Sequence, residues 1–169
     1  MAPTTLYQAS IGFFINGMST LLHILQKASE APNAESFPNA KLYEDMRPLS
    51  FQIQTASNSA KKSVLRLTGK DFGAWEDNET TMPELIARVE KTLALLKSIE
   101  PKEVEGADDK LIALPTAEGG TAERSVRVIM LSFGVPNFFF HVNMAYAILR
   151  SQGVPLGKDD YIEGFSHAT

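Results

Sequence analysis

Cysteine is absent from these 169 residues. That absence removes disulfides, thiolate nucleophiles and cysteine-ligated metals together, while leaving the compartment open. A basic excess is lacking too. Sixteen Lys and Arg stand against 20 Asp and Glu, a formal net charge of −4, with a pI near 5.4. The cations are scattered rather than grouped, so neither nucleic acid nor an anionic membrane has electrostatic support as a partner. Long hydrophobic runs are missing from the N-terminal region, where Ile11–Phe14 is too short for a signal-peptide core and no basic segment precedes it. Gln8, Ser10, Asn16 and Ser19 interrupt the apolarity that a membrane span requires, so no membrane association and a cytoplasmic location are expected. No internal repeat or low-complexity tract occurs.

What is present is ordinary for one globular domain over 1–169: 44% hydrophobic and 21% charged residues, in a chain long enough to bury a core. Thr5-Leu6-Tyr7-Gln8 fits a capping box and predicts a first helix to about Ala28, with Leu6, Ile11, Phe14, Met18, Leu21, Leu22 and Leu25 on its apolar side. Residues 31–40, with two prolines and two asparagines, read as a loop. Asp45 is the expected N-cap of a second helix, with Pro48 harmless in its first turn. Met46, Leu49, Ile53, Ala56, Ala60, Val64 and Leu67 recur at three- and four-residue steps before Gly69 ends it. A second capping box, Thr81-Met82-Pro83-Glu84, opens a third helix carrying Leu85, Ile86, Val89, Leu93 and Leu96 up to Pro101.

The period then changes. Lys110–Leu114 and Ser125–Leu131 read as two short strands joined by a Gly119-Gly120 loop, because Val126, Val128 and Met130 alternate with Arg127 and Ile129. A fourth helix is expected from Pro136 to Gly153, and the tail from Val154 onward is expected to wrap the surface. Three helices, a small hairpin and a fourth helix predict an all-α four-helix bundle with a long crossover insert.

The fourth helix is the most informative element. At 100° per residue, Asn143 and Arg150 fall together on one side and His141, Ala145 and Ile148 on the other. The solvent face is therefore marked, and the imidazole points inward. An inward histidine is either a satisfied core hydrogen-bonder, for instance to Gln52, or a general acid/base in a cavity. Gln52 lies at the edge of the second helix's apolar face, lining that cavity or merely bounding it. Asp45 reads as a cap in preference to a catalytic carboxylate, and Tyr43 either closes a pocket mouth or packs there. Phe138–Phe140 points all round the helix, so one of these rings has room to face a partner subunit. Tyr146 reads as a packing residue or subunit contact. His23 falls on the polar side of the first helix, and His167 lies in the tail. Asp108-Asp109 and Asp159-Asp160 read as loop acids without a calcium-loop pattern. Ser132 has no nucleophile-elbow context, and Gly119-Gly120 lacks the lysine of a phosphate loop.

The same residues carry a resemblance. Leu42–Leu49 with Gln52 and Gln54, then Phe138–His141, Ala145–Arg150 and Gly153–Tyr161, resemble the signatures of an uncharacterised family in the DinB/YfiT-like superfamily. The resemblance spans nearly the whole chain. It implies an up-down-down-up bundle, often a homodimer, with a divalent metal held by one histidine on the second helix and two at i and i+4 on the fourth. Here His141 matches one position, Ala145 stands four residues on, and the second helix has no histidine. No metal or other cofactor is therefore expected, although a divalent-metal-dependent DinB-like transferase with a degenerate site, recruiting Asp45 or a partner-chain group as a ligand, is a third option.

Two functions follow as expectations. One is a bundle that binds a small, mainly apolar organic ligand, either as a binding protein or as a metal-independent isomerase, cyclase or lyase. In it His141 is the proton donor or acceptor, and Gln52, Tyr43, Asp45, Ala145 and Phe138 bind the ligand. The other is a non-catalytic dimeric module whose buried polar groups only specify packing.

Overall fold

The computed structural model describes residues 3–115 and 119–166. The Thr5 capping box forms as expected: Thr5 N–H donates to Gln8 Oε1 (3.0 Å) and Gln8 N–H to Thr5 Oγ1 (3.2 Å). A π turn over Gln8–Gly12 leads into α1, Phe13–Ser29. α2, Leu49–Thr68, ends on Gly69, whose positive φ of 79° lets its N–H turn back to the Leu65 carbonyl. α3, Met82–Lys97, opens on the Thr81–Glu84 box. A two-stranded antiparallel hairpin follows, β1 (Leu111–Pro115) with β2 (Thr121–Ser125), pairing Leu111 with Ser125. One long helix, α4, then runs over Val126–Ser151, and a short α5, Lys158–Ile162, is followed by a 3-10 turn over Glu163–Phe165.

The helices form a ring in the order α1, α3, α2, α4, each packed on its two neighbours. Their directions follow from which residues meet. Gln52 meets His141 and Ser59 meets Asn137, so α2 and α4 run antiparallel. Gln54 bonds Glu79 before α3, and Lys70 pairs with Glu103 beyond it, so α2 and α3 run in parallel. Phe14 packs on Phe138 while the two π turns lie against each other, so α1 and α4 also run in parallel. The result is the up-down-down-up bundle. Its centre is filled by fully buried Phe14, Met18, Leu21, Ile53, Leu85, Leu96 and Phe138, among others.

Three expectations need correction. Asp45 does not cap α2: it is exposed in the preceding turn, and Pro48, with ψ of 172°, is the cap residue. A proline that breaks the helical ψ can end the turn without a side-chain hydrogen bond, so the helix starts three residues later. The second strand lies upstream of the expected one, at Thr121–Ser125 in place of Ser125–Leu131, and 126–131 is helical. Val126, Ile129 and Met130 are buried while Arg127 and Val128 are exposed, which is the i, i+3, i+4 spacing of a helix face. Ser125 caps this helix, its Oγ accepting from Val128 N–H at 3.4 Å. Pro136 consequently lies inside a helix that begins ten residues earlier. A π turn at Met130–Gly134, in which Val135 N–H reaches Met130 O, widens the helix just before it. Such a turn relieves the clash a proline ring makes with the carbonyl four residues back.

By length and composition α4 could cross a membrane, but its apolar stripe, from Val126 through Phe138 and Val142 to Leu149, forms part of the bundle core. The tail does cross the surface. It docks on the α1–α4 seam through Thr20 Oγ1, which donates to Tyr161 O (2.8 Å), and through Tyr161 Oη, which donates to Asn143 Oδ1 (2.6 Å).

Candidate functional site

His141 lies on the inward side of α4, 8% exposed, opposite Gln52 of α2, which is 3% exposed. Its Nδ1 is 2.8 Å from Gln52 Oε1. The Gln52 amide nitrogen donates to the Arg47 carbonyl at 3.1 Å, so the oxygen is the end facing the ring. An amide oxygen only accepts, which puts the proton of a neutral imidazole on Nδ1 and leaves a lone pair on Nε2. No hydrogen bond to Nε2 is made among the described residues. Burial pushes the His141 pKa below its ordinary value. The ring is therefore neutral near pH 7, with its tautomer set from behind by Gln52.

Two aromatic rings stand edge-on to the imidazole: Phe51, with centroids 6.2 Å apart, and Phe140 at 5.3 Å. Both reach solvent, at 36% and 53% exposure, and the Arg47 guanidinium lies over the Phe51 ring at 5.4 Å. Ala145 and Phe138 are fully buried in the core, Phe138 against Phe14 and Gly17. Tyr43 and Asp45 are exposed on the turn before α2. No hydrogen bond or ring contact joins either of them to His141 or Gln52 among the described residues. The structure thus brings together His141 and Gln52, with Phe51, Phe140 and Arg47 added. Those three escape a sequence reading because their side of the helices is defined only by which helix packs where.

A three-histidine metal site does not fit these residues. Ala145 offers no donor, α2 presents amides, and His141 Nδ1 is engaged by Gln52. No group of three or more His, Asp or Glu side chains is placed to hold a metal among the described residues.

A second polar centre was not foreseen. Arg88 of α3 is 4% exposed, yet its five N–H groups all find acceptors. Nε donates to Ser57 Oγ, Nη1 to Glu76 O and Glu79 Oε1, and Nη2 to Asn58 Oδ1 and Asp77 Oδ1, all at 2.8–2.9 Å. Ser57 Oγ, accepting from Arg88, must donate to Thr92 Oγ1 (2.7 Å), which donates back to the Arg88 carbonyl (2.8 Å). The ring of bonds is closed and leaves no guanidinium proton for a ligand. Its signal in the sequence was an arginine in step with Leu85, Thr92 and Leu96, with Asp77 and Glu79 shortly before it.

His23 also departs from expectation. It is partly buried, 3.0 Å from Asp160 and 3.2 Å from Glu163, and Lys27 reaches the same Asp160 oxygen at 2.6 Å. Asp160 is thus an anchor of α5 rather than a free loop acid. Tyr146 packs edge-on against Tyr161 at 5.8 Å, within the chain. His167 lies outside the described residues.

A ring of four helices running up-down-down-up, with a hairpin before the last and an inward histidine facing the second, defines a DinB-like bundle. The chain belongs to the family described as "Domain of unknown function (DUF1993)", whose model matches residues 6–162. It is similar to a crystal structure at 1.83 Å of a DinB family member protein from Shewanella denitrificans. The two are 30% identical, with a TM-score of 0.83 over 93% of this chain and 91% of that one. No curated protein matches the chain.

Proposed function

We propose that this protein is a metal-independent small-molecule-binding bundle in which His141 accepts a hydrogen bond or a proton from the ligand. One observation carries the reading: Gln52 holds Nδ1–H from behind, so the neutral ring offers Nε2 as its free acceptor. A fixed tautomer and a neutral ring leave Nε2 able to accept a hydrogen bond or proton near pH 7, and burial makes it a weaker base than a free imidazole. Phe51 and Phe140 favour a flat, mainly apolar ligand with an O–H or N–H group. Arg47, over the Phe51 ring, supplies a cation beside the site, whereas Tyr43 and Asp45, exposed on the turn before α2, would reach a ligand only if that turn moved. Phe138 and Ala145, both fully buried, belong to the core on either side of His141 along α4. If the site is catalytic, isomerisation, cyclisation or addition suits one imidazole better than hydrolysis, which needs an activated nucleophile.

The second reading, a dimeric non-catalytic module, is favoured by a different observation. The described cavities, each of about 330–400 Å³, lie away from His141, while Phe51, Phe133 and Phe140 are exposed on α2 and α4. A homodimer located in the cytoplasm is compatible with either reading.

The test is a thermal-shift screen of small aromatic alcohols and amines on wild type and His141→Gln, with elemental analysis of untagged protein. Compounds that stabilise the wild type and not the variant support the ligand site. Hits indifferent to His141, in a protein that light scattering shows to be a dimer, support the module. Stoichiometric metal whose stabilisation disappears with His141 overturns both.

A further inference from the structure

A cavity of about 390 Å³ opens where the end of α2, the hairpin and the first turns of α4 meet. It lies roughly 20 Å along α2 from Gln52, at 1.5 Å per residue, and shares no residue with the His141 site. Its walls are Leu114 and Pro115 at the end of β1, and Val128, Ile129 and Phe133 on α4. Val128 and Phe133 are 48% and 58% exposed, so apolar surface is left open there. Over these walls stand two cations, Arg66 from α2 and Arg124 from β2, with the Ser132 hydroxyl beside them.

The two arginines are set apart by what they do not do. Of the six arginines in the chain, Arg88 is fully bonded, Arg127 pairs with Asp108, Arg150 holds the Val154 carbonyl and Arg47 lies on Phe51. Arg66 has no hydrogen bond or ion pair among the described residues, and Arg124 has only the neighbouring Glu123 carbonyl, at 3.1 Å. In a chain of net charge −4, two guanidinium groups without carboxylate partners among the described residues line one apolar hollow. The π turn at Met130–Gly134 carries Ser132 and Phe133 into its wall, and π turns inside helices recur at functional sites. The volume is that of a small-molecule cleft.

We infer that this cavity binds an organic carboxylate, the apolar body resting on Val128, Phe133 and Leu114 and the carboxylate held by Arg66 and Arg124. A planar guanidinium matches a carboxylate fork and is weakly hydrated, so it loses little when an apolar ligand body excludes water beside it.

The test is isothermal titration with three probes: 4-tert-butylbenzoate, its uncharged amide, and inorganic phosphate. Amide-resonance mapping of the full chain accompanies it. The benzoate should bind at least about tenfold more tightly than either of the others, the value of one or more charge-assisted hydrogen bonds. The Arg66→Gln/Arg124→Gln double variant should lose that preference while keeping its thermal midpoint. Phe133→Ser should weaken the benzoate and the amide alike. His141→Gln should leave benzoate binding unchanged, which separates this site from the one proposed above. Equal affinity for benzoate and amide, no perturbation at Ser132 and Phe133, or no binding up to about 10 mM would overturn the inference. So would a change from dimer to monomer in the double variant, since a second copy would then be the occupant.

Discussion

His141 sits among aromatic rings, and burial holds its pKa below the ordinary 6.5. The consequence for stability has a definite sign. The unfolded chain takes up this proton first as pH falls, so the folded state loses stability from about pH 7 downward, until the folded pKa is passed. His141→Gln should flatten that part of the profile, seen as a smaller difference between urea midpoints at about pH 7 and about pH 5. A variant with the same slope as wild type would place the pH dependence elsewhere. Gly17 is a second position where one atom decides. A Cβ there would clash with Phe138 Cε1 and stand 3.1 Å from Phe139 Cε1, and Phe138 is fully buried, so the core around it would have to shift. Gly17→Ala should cost about 1–3 kcal/mol by denaturant unfolding, the usual penalty for overpacking a core. At this scale the helical wheel was informative. It turned His141 inward and Asn143 and Arg150 outward, because a regular helix converts spacing into direction. Gln52 could be named from the sequence only as one candidate partner, because which group meets the ring depends on how α2 is placed against α4.

Elements were legible where their ends carry their own chemistry. Both Thr capping boxes and the Gly69 stop lie where local hydrogen bonds and backbone sterics put them. The stretch from Ser125 to Pro136 misleads because five residues alternate well enough to look like a strand. The burial of Val126, Ile129 and Met130 shows that packing on the bundle, rather than local alternation, settled the outcome. Arg88 belongs to this scale too, since it ties α3 to α2 and to the segment carrying Trp75. Its guanidinium lies 5.2 Å from the Trp75 ring, with Lys91 at 4.1 Å and Lys61 at 5.0 Å. Arg88→Met would leave Glu79 and the Ser57–Thr92 pair without their partner. The expected loss is about 3–5 kcal/mol, as for a broken buried ion pair. Trp75 is the single tryptophan, so its emission should shift as the segment loosens. Arg88→Lys should not restore either property, because an ammonium cannot span five acceptors in a plane. Full recovery with lysine would reduce the network to simple charge.

For the molecule as a whole, the tail acts as a clasp over the α1–α4 seam. Hydrogen bonds from Lys27 and His23, then from the Gly157 N–H, hold the Asp160 carboxyl well below the usual carboxylate range. A depressed carboxylate stabilises the fold above its ordinary pKa of 3.8, and that contribution fades only as pH falls below it. Protection of the tail from chymotrypsin, which would cut at Tyr161 and Phe165, should hold from about pH 7 to about pH 5 in the wild type. Asp160→Asn should weaken it across that range. Gly164 is the tight point: a Cβ would meet Asn16 O at 2.6 Å and Thr20 N at 2.7 Å, both backbone atoms. Gly164→Ala should therefore lift the tail and speed cleavage several-fold while far-ultraviolet dichroism stays helical; unchanged cleavage would mean the clasp adjusts around a methyl group. The sequence by itself determined four helices, most of their ends, the inward histidine and the bundle class, because caps, breakers and periodicity act within a few residues. Only the tertiary structure decided the pairing of His141 with Gln52, the encirclement of Arg88, the start of α4 at Val126 and the seat of the tail. Each of those depends on contacts between segments distant along the chain, and no local pattern encodes which faces will meet.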